Sequence, residues 1–220
     1  MPISREKLIE GFLKVPTGNV CDAMVQLGVP LGVIQGLHAL DPNQRQAVGV
    51  AVTVKQMERH QTAEAKNLAT HSKVIDGQLE YGDFLVLDVG GRTDVCSGGA
   101  LLARRAKMQG ASGFIVNGCL RDIREIGKLD FPVHLLAGSP IKSSLHLQTV
   151  GVNIPVEVRG VQINPGDVII TDDTGIVVLP AQSAESVLAK ALEINSKEVA
   201  LESLISEGKS FAEAATLVNL

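Results

Sequence analysis

Apolar residues along this chain fall into short continuous runs separated by stretches with helical spacing. The runs are rich in Val, Ile and Leu, which favours strands buried on both faces. In chain order they cover residues 47–54, 84–88, 113–116, 132–136, 168–170 and 176–179, with two short strands around Arg159-Gly160. Alternation of such runs with helices predicts an α/β fold. No linker or low-complexity segment divides the 220 residues, so we expect one domain over residues 1–220.

Helices are predicted where apolar residues recur every three or four positions and a capping residue stands at one end. The first should extend from Ser4, as N-cap, to Val15, and the tail from about Ser183 to Leu220 should be helical, with charge on its outer face. Between them we predict three more, at 17–28 (with Val20, Ala23, Met24 and Leu27 on its apolar face), at 62–74 and at 99–109.

Composition excludes several classes of protein. A net charge of −4 without a basic block, and only 3% aromatic residues, argue against a nucleic-acid partner. The three cysteines are widely spaced and form no CxxC pair, which disfavours a disulfide framework and a zinc ribbon. The polar N-terminus lacks a signal core, and no apolar run is long enough to cross a bilayer. We therefore expect a cytoplasmic protein with no membrane partner.

Glycines flank the loop between the strand at 84–88 and the helix that should begin near Gly99. They are Gly90, Gly91, Gly98 and Gly99. Such residues let backbone N–H groups approach a ligand closely, and a helix N-terminus attracts anions. The pattern is neither a Walker loop nor GxGxxG, so a tight turn between strand and helix is the alternative.

Arg121 and Asp122 are the most informative pair. They follow the run at 113–116, a strand that we expect to end at Asn117 and Gly118. Arg121 can bind a carboxylate through two hydrogen bonds, and Asp122 can hold a hard divalent cation. The alternative is a solvated loop in which Asp122 caps the next helix. Because parallel strands would place this pair beside the glycine loop, the sequence favours a site for a small, oxygen-rich acid.

Other candidate residues are predicted to be structural. The five histidines lack zinc-like spacing, and His134 should be a hydrogen-bonded packing residue within a strand. Cys119 has no histidine partner in the motif and should be an inert thiol. Asp172 and Asp173 lie in a turn, where hydrogen bonding to the backbone is expected.

In combination, several of these motifs resemble a known family over about Asn19 to Gly208. The residues that carry the likeness are Asp22-Ala23, Val48–Val54, Gly110, Gly113, Gly118, Arg121-Asp122, Phe131-Pro132-Val133 and Pro165-Gly166-Asp167 with Asp172-Asp173 and Gly175. They resemble the regulator of ribonuclease activity A-like (RraA-like) family. It includes 4-hydroxy-4-methyl-2-oxoglutarate aldolases and oxaloacetate decarboxylases, often mislabelled as demethylmenaquinone methyltransferases.

The resemblance implies a three-layer swivelling-type β/β/α domain with C-terminal helices, assembled as a homotrimer or hexamer. It also implies a lyase that uses Mg²⁺ or Mn²⁺ and acts on small oxo acids through a pyruvate enolate. Asp122 would bind the metal largely through waters, and Arg121 would contact the carboxylate and the keto or enolate oxygen of the substrate. The substrate carboxylate would lie on the backbone of Gly99, Ala100, Leu101 and Leu102. Glu198, on the C-terminal helix of a neighbouring subunit, would complete the catalytic residues.

The chain departs from the aldolase pattern at three places. Ala100 stands where family aldolases usually have Glu. Met57-Glu58-Arg59-His60 stands where they have Gly-Asp-Asn, and Asn117 stands where their strand ends in an acidic residue. These changes would alter the water around the metal or the substrate preference. No lysine ends a predicted strand at the site, which disfavours a Schiff base.

Two alternatives remain to the metal-dependent aldolase and decarboxylase. One is a non-catalytic regulator that binds a ribonuclease or another protein; the retained Arg121-Asp122 pair argues against it. The other is a related lyase or hydrolase for another oxo acid, with Ala100 making room for a different substituent.

Overall fold

The computed structural model describes residues 3–59 and 71–219. Within these ranges the helices are α1 (Arg5–Phe12), α2 (Thr17–Gln26), α3 (His71–Gln78), α4 (Ala100–Met108), α5 (Ile123–Gly127), α6 (Ala184–Ser206) and α7 (Phe211–Val218). The strands are β1 (Gly32–Ile34), β2 (His38–Ala39), β3 (Ala47–Glu58), β4 (Asp83–Asp88), β5 (Cys96–Gly98), β6 (Gly113–Leu120), β7 (Val133–Gly138), β8 (Leu147–Val152), β9 (Val156–Val158), β10 (Val161–Ile163), β11 (Val168–Thr171) and β12 (Ile176–Leu179).

Ten of the strands form one mixed sheet in the order β1-β12-β11-β3-β4-β6-β7-β2, with β5 paired to β6 and β8 paired to β3. The central strands β3, β4, β6 and β7 are parallel to one another, and the flanking strands β11, β12 and β8 are antiparallel to their neighbours. Strands β9 and β10 form a separate antiparallel hairpin. The carboxyl ends of the central strands therefore meet at one edge.

Alternation along β3 divides the core between the two faces of the sheet, as the period of two requires. Val48, Val52 and Val54 pack under the helices, whereas Ala47 and Ala51 pack toward the β9–β10 hairpin. Helices thus cover one face, and the hairpin covers the other. The expected three-layer β/β/α arrangement with C-terminal helices is confirmed.

Most predicted elements are present. Ser4 caps α1 by accepting a hydrogen bond from the Lys7 amide at 3.3 Å. Asp172 has the structural role expected of it, since its carboxylate accepts from the Thr17 amide at 2.7 Å at the start of α2. The strands around Arg159-Gly160 form the predicted hairpin.

Two predictions need correction, and a third lies partly outside the described residues. The strand expected to end at Asn117 and Gly118 continues through Leu120, because all eight residues of β6 are buried and β5 pairs with its last residues. Leu27 follows the end of α2 and is 44% exposed, so it does not belong to the apolar face. Of the helix predicted at 62–74, residues 62–70 lie outside the described residues, and 71–74 belong to α3.

Strands β1, β2, β5 and β8 were not predicted. Among the described residues, no helix combines the length and the apolar character needed to cross a membrane.

Candidate functional site

The glycine loop and the Arg121-Asp122 pair lie side by side at the carboxyl edge of the central strands. Strand β5 runs parallel to β6 and places Gly98 opposite Leu120. The Arg121 amide then donates to the Gly98 carbonyl at 3.0 Å. The expected meeting of the two motifs at one edge is therefore correct, and β5 is the element that produces it.

Asp122 joins the loop after β6 to the start of α4. Its backbone is left-handed (φ 58°, ψ 36°), and its side chain makes no capping hydrogen bond to its own helix α5. Its Oδ2 atom instead accepts from the Ala100 amide at 3.3 Å and lies 3.5 Å from the Arg121 Nε atom. The alternative of a simple N-cap for the next helix does not fit this geometry, because the carboxylate faces the glycine loop.

Gly99 is required by this close approach. A Cβ atom at position 99 would lie 2.6 Å from Asp122 Oδ2 and 2.9 Å from Arg121 Cγ. The Gly99 backbone is extended (φ −162°), so the constraint is one of space and not of torsion. A side chain here would displace the two residues that the sequence selects as functional.

Arg121 and Asp122 line a cavity of about 520 Å³ together with Gly98 and Gly99, whereas Gly90 and Gly91 line a second cavity. Other contributors come from β3, from α3 and from the 142–144 turn, and those used below are Gln56, Arg59, His71 and Lys142. Three cationic side chains, of Arg59, Arg121 and Lys142, face one carboxylate, that of Asp122, among the described lining residues. This balance favours an anionic ligand.

The first turn of α4 offers less free backbone than the glycine pattern suggests. The Ala100 amide is bonded to Asp122, and the Leu102 amide donates to the Gly99 carbonyl at 3.0 Å. Within the described part of the chain, the Leu101 amide has no acceptor. It is therefore the N–H of this turn that remains for an anion, beside the positive end of the helix dipole.

The floor of the cavity is held by neutral hydrogen bonds. Ser97 is buried and donates its hydroxyl to Gln56 Oε1 at 2.6 Å. Cys96 is also buried, and burial raises the pKa of its thiol above the ordinary value, so it stays protonated at neutral pH. Burial likewise raises the pKa of Cys119, which agrees with the inert thiol predicted for it.

His71 lines this cavity, which nothing in the spacing of the histidines indicated. Burial lowers the pKa of its ring to about 4, and a hydrogen bond to the Ser97 backbone acts in the opposite direction. His134, by contrast, is the packing residue that the sequence predicts: its ring is buried and bonded to Gln44 Nε2 at 3.0 Å. Burial lowers the pKa of His134 to about 4 as well.

A divalent metal would find one protein carboxylate here. Among the residues that the structure describes, no cluster of three or more His, Cys, Asp or Glu side chains could hold an ion. Ala100 and Arg121 both contact Asp122 at its Oδ2 atom, and the Asp122 side chain is 43% exposed. Mg²⁺ commonly binds through one or two carboxylates, with waters and substrate oxygens as its other ligands. The donor set therefore fits a metal shared with the substrate and does not fit a closed structural site.

Two residues singled out in the sequence lie elsewhere. Glu198 is on α6 and accepts from Asn19 Nδ2 of α2 at 2.7 Å, and it is not part of the cavity lining in its own chain. Asn117 lies inside β6, where its amide donates to Asp88 Oδ1 at 3.1 Å. It lines a separate cavity of about 460 Å³ with Lys55 and Asp88. The replacement of the usual acid by Asn117 therefore lies outside the cavity that Arg121 lines.

Fold and site together define a three-layer β/β/α protein with a cavity lined by cationic side chains at the carboxyl edge of its parallel strands. The sequence model of the RraA-like family, described as Aldolase/RraA, matches residues 17–178. The chain therefore belongs to the RraA-like family, as the resemblance implied.

Individual relatives agree with this assignment. A protein from Halalkalibacterium halodurans that carries the provisional name 4-hydroxy-4-methyl-2-oxoglutarate aldolase is 33% identical over 90% of this chain and 89% of its own length. A solved structure of an uncharacterised protein from Pseudomonas syringae pv. tomato has a TM-score of 0.84, at 25% identity, over 99% of this chain and 96% of that one. RraAS2 of Streptomyces coelicolor, titled an unusual member of the RNase ES inhibitor RraA family, has a TM-score of 0.77, at 26% identity, over 94% of this chain and all of that one.

Proposed function

We propose that this protein is a divalent-metal-dependent lyase that produces pyruvate from small oxo acids. Its substrates would be 4-hydroxy-4-methyl-2-oxoglutarate-type acids, cleaved between C3 and C4, and oxaloacetate, which loses its C4 carboxylate as CO₂. Both reactions leave the same intermediate, the enolate of pyruvate. The observation that carries the proposal is the placement of Arg121 and Asp122 against the first turn of α4 in a cationic cavity.

Each part of the cavity has a task in this reaction. The Leu101 amide and the dipole of α4 would bind the C1 carboxylate of the substrate. The Arg121 guanidinium would lie at the C2 oxygen, where negative charge develops as the bond at C3 breaks. Lys142 and Arg59, which also line the cavity, would attract the second carboxylate.

Asp122 would hold Mg²⁺ or Mn²⁺ in this site. When bound, such an ion polarises a carbonyl oxygen and stabilises the charge that forms on it. Asp122 is itself fixed by the Ala100 amide, so the position of its carboxylate is set by α4 before any ligand enters.

We further propose a homotrimer or hexamer in which subunits meet beside the cavity. Leu101 in the cavity wall is 80% exposed, and Leu145 in the adjoining turn is 77% exposed. Large apolar side chains grouped at such a position favour a protein contact. In such an assembly Glu198 would reach the site of a neighbouring subunit. Light scattering should then give three or six times the chain mass of 23.2 kDa.

The alternative function is regulation of a ribonuclease by direct contact, which the similarity to the Streptomyces protein favours. The two functions differ in their need for the site. A regulator would inhibit a ribonuclease equally well with Asp122 intact or replaced, and it would release no pyruvate.

Pyruvate release, coupled to lactate dehydrogenase, tests the proposal. Protein freed of metal by a chelator should be inactive on 4-hydroxy-4-methyl-2-oxoglutarate and on oxaloacetate, and Mg²⁺ or Mn²⁺ should restore both rates. Because free divalent ions also promote decarboxylation of oxaloacetate, metal without protein is the required blank. A rate equal to that blank for both acids would defeat the lyase proposal.

A further inference from the structure

His71 lines the cavity of Arg121 and Asp122 but belongs to neither the Arg121-Asp122 pair nor the glycine loop. It is the first residue of α3 and lines the same cavity as Arg121 and Asp122. In the sequence it stands 50 residues before Arg121, on an element that the strand-end motifs do not include. The fold alone brings an imidazole to this site.

The imidazole of His71 brings an unsatisfied nitrogen to the cavity wall. Burial lowers the pKa of this ring, and the nearby Ser97 backbone acts in the opposite direction. The Nε2 atom is buried and has no hydrogen-bond partner among the described residues. Since buried polar atoms are normally paired, a cavity ligand is a natural partner for it.

Ser97 also connects His71 to the rest of the site. Its hydroxyl is fixed by Gln56, and the chain continues directly into Gly98 and Gly99 of the glycine loop. The Ser97 backbone that acts on the His71 ring therefore leads directly into the start of α4. A neutral imidazole has one nitrogen that can accept a proton, and the unpartnered Nε2 is available for this role.

Burial keeps the free ring neutral. The charged groups of the described residues that line the cavity are Arg59, Arg121 and Lys142, which oppose protonation of the ring, and Asp122, which favours it. A bound dicarboxylate would add two negative charges to this cavity. It would thus make a proton on His71 more favourable only while substrate is present.

We propose that His71 is a catalytic residue that carries the proton in aldol cleavage, an inference that rests on the lyase function proposed above. Nε2 takes the proton of the C4 hydroxyl as the C3–C4 bond breaks. The electrons of the O–H bond form the new carbonyl, and those of the C3–C4 bond pass to the enolate. Nε2 then returns the same proton to C3 and yields the second pyruvate, so no other proton source or co-reactant is needed.

Decarboxylation of oxaloacetate makes a different demand. Its C4 leaves as CO₂ and no hydroxyl proton has to be removed, so bond cleavage does not require a base. Solvent can supply the proton to C3 afterwards. A residue that acts on the hydroxyl proton must therefore matter far more for aldol cleavage than for decarboxylation.

The test compares both activities in His71→Gln, with His38→Gln as the matched control. His38 is exposed on the edge strand β2 and lies outside the cavity lining. We expect His71→Gln to lower kcat for 4-hydroxy-4-methyl-2-oxoglutarate by roughly 100-fold or more. Oxaloacetate decarboxylation should stay within about three-fold of wild type, which also reports that the variant is folded.

Exchange of the pyruvate methyl hydrogens in D₂O, followed by NMR, is a second readout. Enolisation of pyruvate needs a base at C3, so exchange should also fall roughly 100-fold in His71→Gln. Equal loss of both lyase activities would overturn the inference, because it would indicate a structural role. Full retention of aldol cleavage would overturn it too. Failure of the wild-type protein on both acids would instead refute the proposed function itself.

Discussion

The Asp122 carboxylate accepts a hydrogen bond from the Ala100 amide at 3.3 Å, across 22 positions of the chain. This contact joins the turn after β6 to the first turn of α4. It fixes the distance between the carboxylate that would hold a metal and the helix N-terminus that would bind a substrate carboxylate. The site therefore depends on the contact between the turn after β6 and the first turn of α4.

Gly99→Ala should disrupt that contact. The new Cβ would lie 2.6 Å from Asp122 Oδ2, so the carboxylate or the helix start must move. We expect a loss of about 1–3 kcal/mol in unfolding free energy, and about a 100-fold fall in kcat/KM, since small misplacements at a site are costly.

Gly18→Ala is the control for this change, because a Cβ there would meet nothing within 4 Å. It should leave the lyase rates unchanged. Wild-type kinetics in Gly99→Ala would mean that the close approach of Gly99 to Asp122 does not position the site.

Arg121→Lys should weaken catalysis while preserving charge. Lysine lacks the planar fork that binds two oxygens at once, so one charge-assisted hydrogen bond is lost. Such a loss corresponds to about a 10- to 100-fold decrease in kcat/KM. Arg104→Lys, on the exposed face of α4, is the comparison and should have no effect. Equal rates for the two variants would exclude substrate contact by the Arg121 fork.

The Lys55–Asp88 pair should stabilise the fold and take no part in the reaction. Asp88 is buried under the hairpin, and Lys55 is its cationic partner. Lys55→Met would leave a buried carboxylate unpaired and should lower the unfolding free energy by about 3 kcal/mol. Lys128→Met, in an exposed pair with Glu125, should cost less than about 1 kcal/mol. Urea denaturation of both variants measures the difference, and equal midpoints would contradict it.

His134 should make stability depend on pH between about 6.5 and 4. Burial lowers the folded-state pKa of this histidine to about 4, from the ordinary value of 6.5. The unfolded chain then binds the proton first, so stability is full above pH 6.5 and falls as the pH drops through this range. The contribution is on the order of 3 kcal/mol.

His134→Gln keeps an acceptor for Gln44 and should reduce the slope of unfolding free energy against pH. Part of the slope should remain, because burial lowers the pKa of His71 to about 4 as well. His146→Gln, which changes an exposed histidine, should leave the profile steep. An unchanged slope in His134→Gln would show that another group controls the acid sensitivity.

The sequence predicts the scaffold better than the cavity. Strong β-branched runs identify β3, β4, β6, β11 and β12, because a buried strand needs an apolar residue at every position. The Arg121-Asp122 pair and the glycine loop follow two of these runs, and parallel pairing brings them together as expected. The β/β/α arrangement of layers was implied by the family resemblance and not by the pattern of apolar residues.

The other residues that line the cavity could not be predicted, because pairing between strands distant in sequence brings them there. Strand β5 is short and polar, and only its pairing with β6 defines it. Gln56 and Arg59 enter the cavity because β3 continues past its apolar run and pairs with β8 across a bulge. His71 arrives with α3, whose position no local signal in the chain specifies.

The most direct test of the central claim is the initial rate of pyruvate release from oxaloacetate with Mg²⁺, after subtraction of the metal-only rate, for wild type, Asp122→Asn and Asp130→Asn. Asp130 is a suitable control, since it is exposed and also has a left-handed backbone (φ 44°). The account predicts a metal-dependent wild-type rate, a loss of about 100-fold or more in Asp122→Asn, and no change in Asp130→Asn. A wild-type rate equal to that of free metal, or an Asp122→Asn rate equal to wild type, would contradict it.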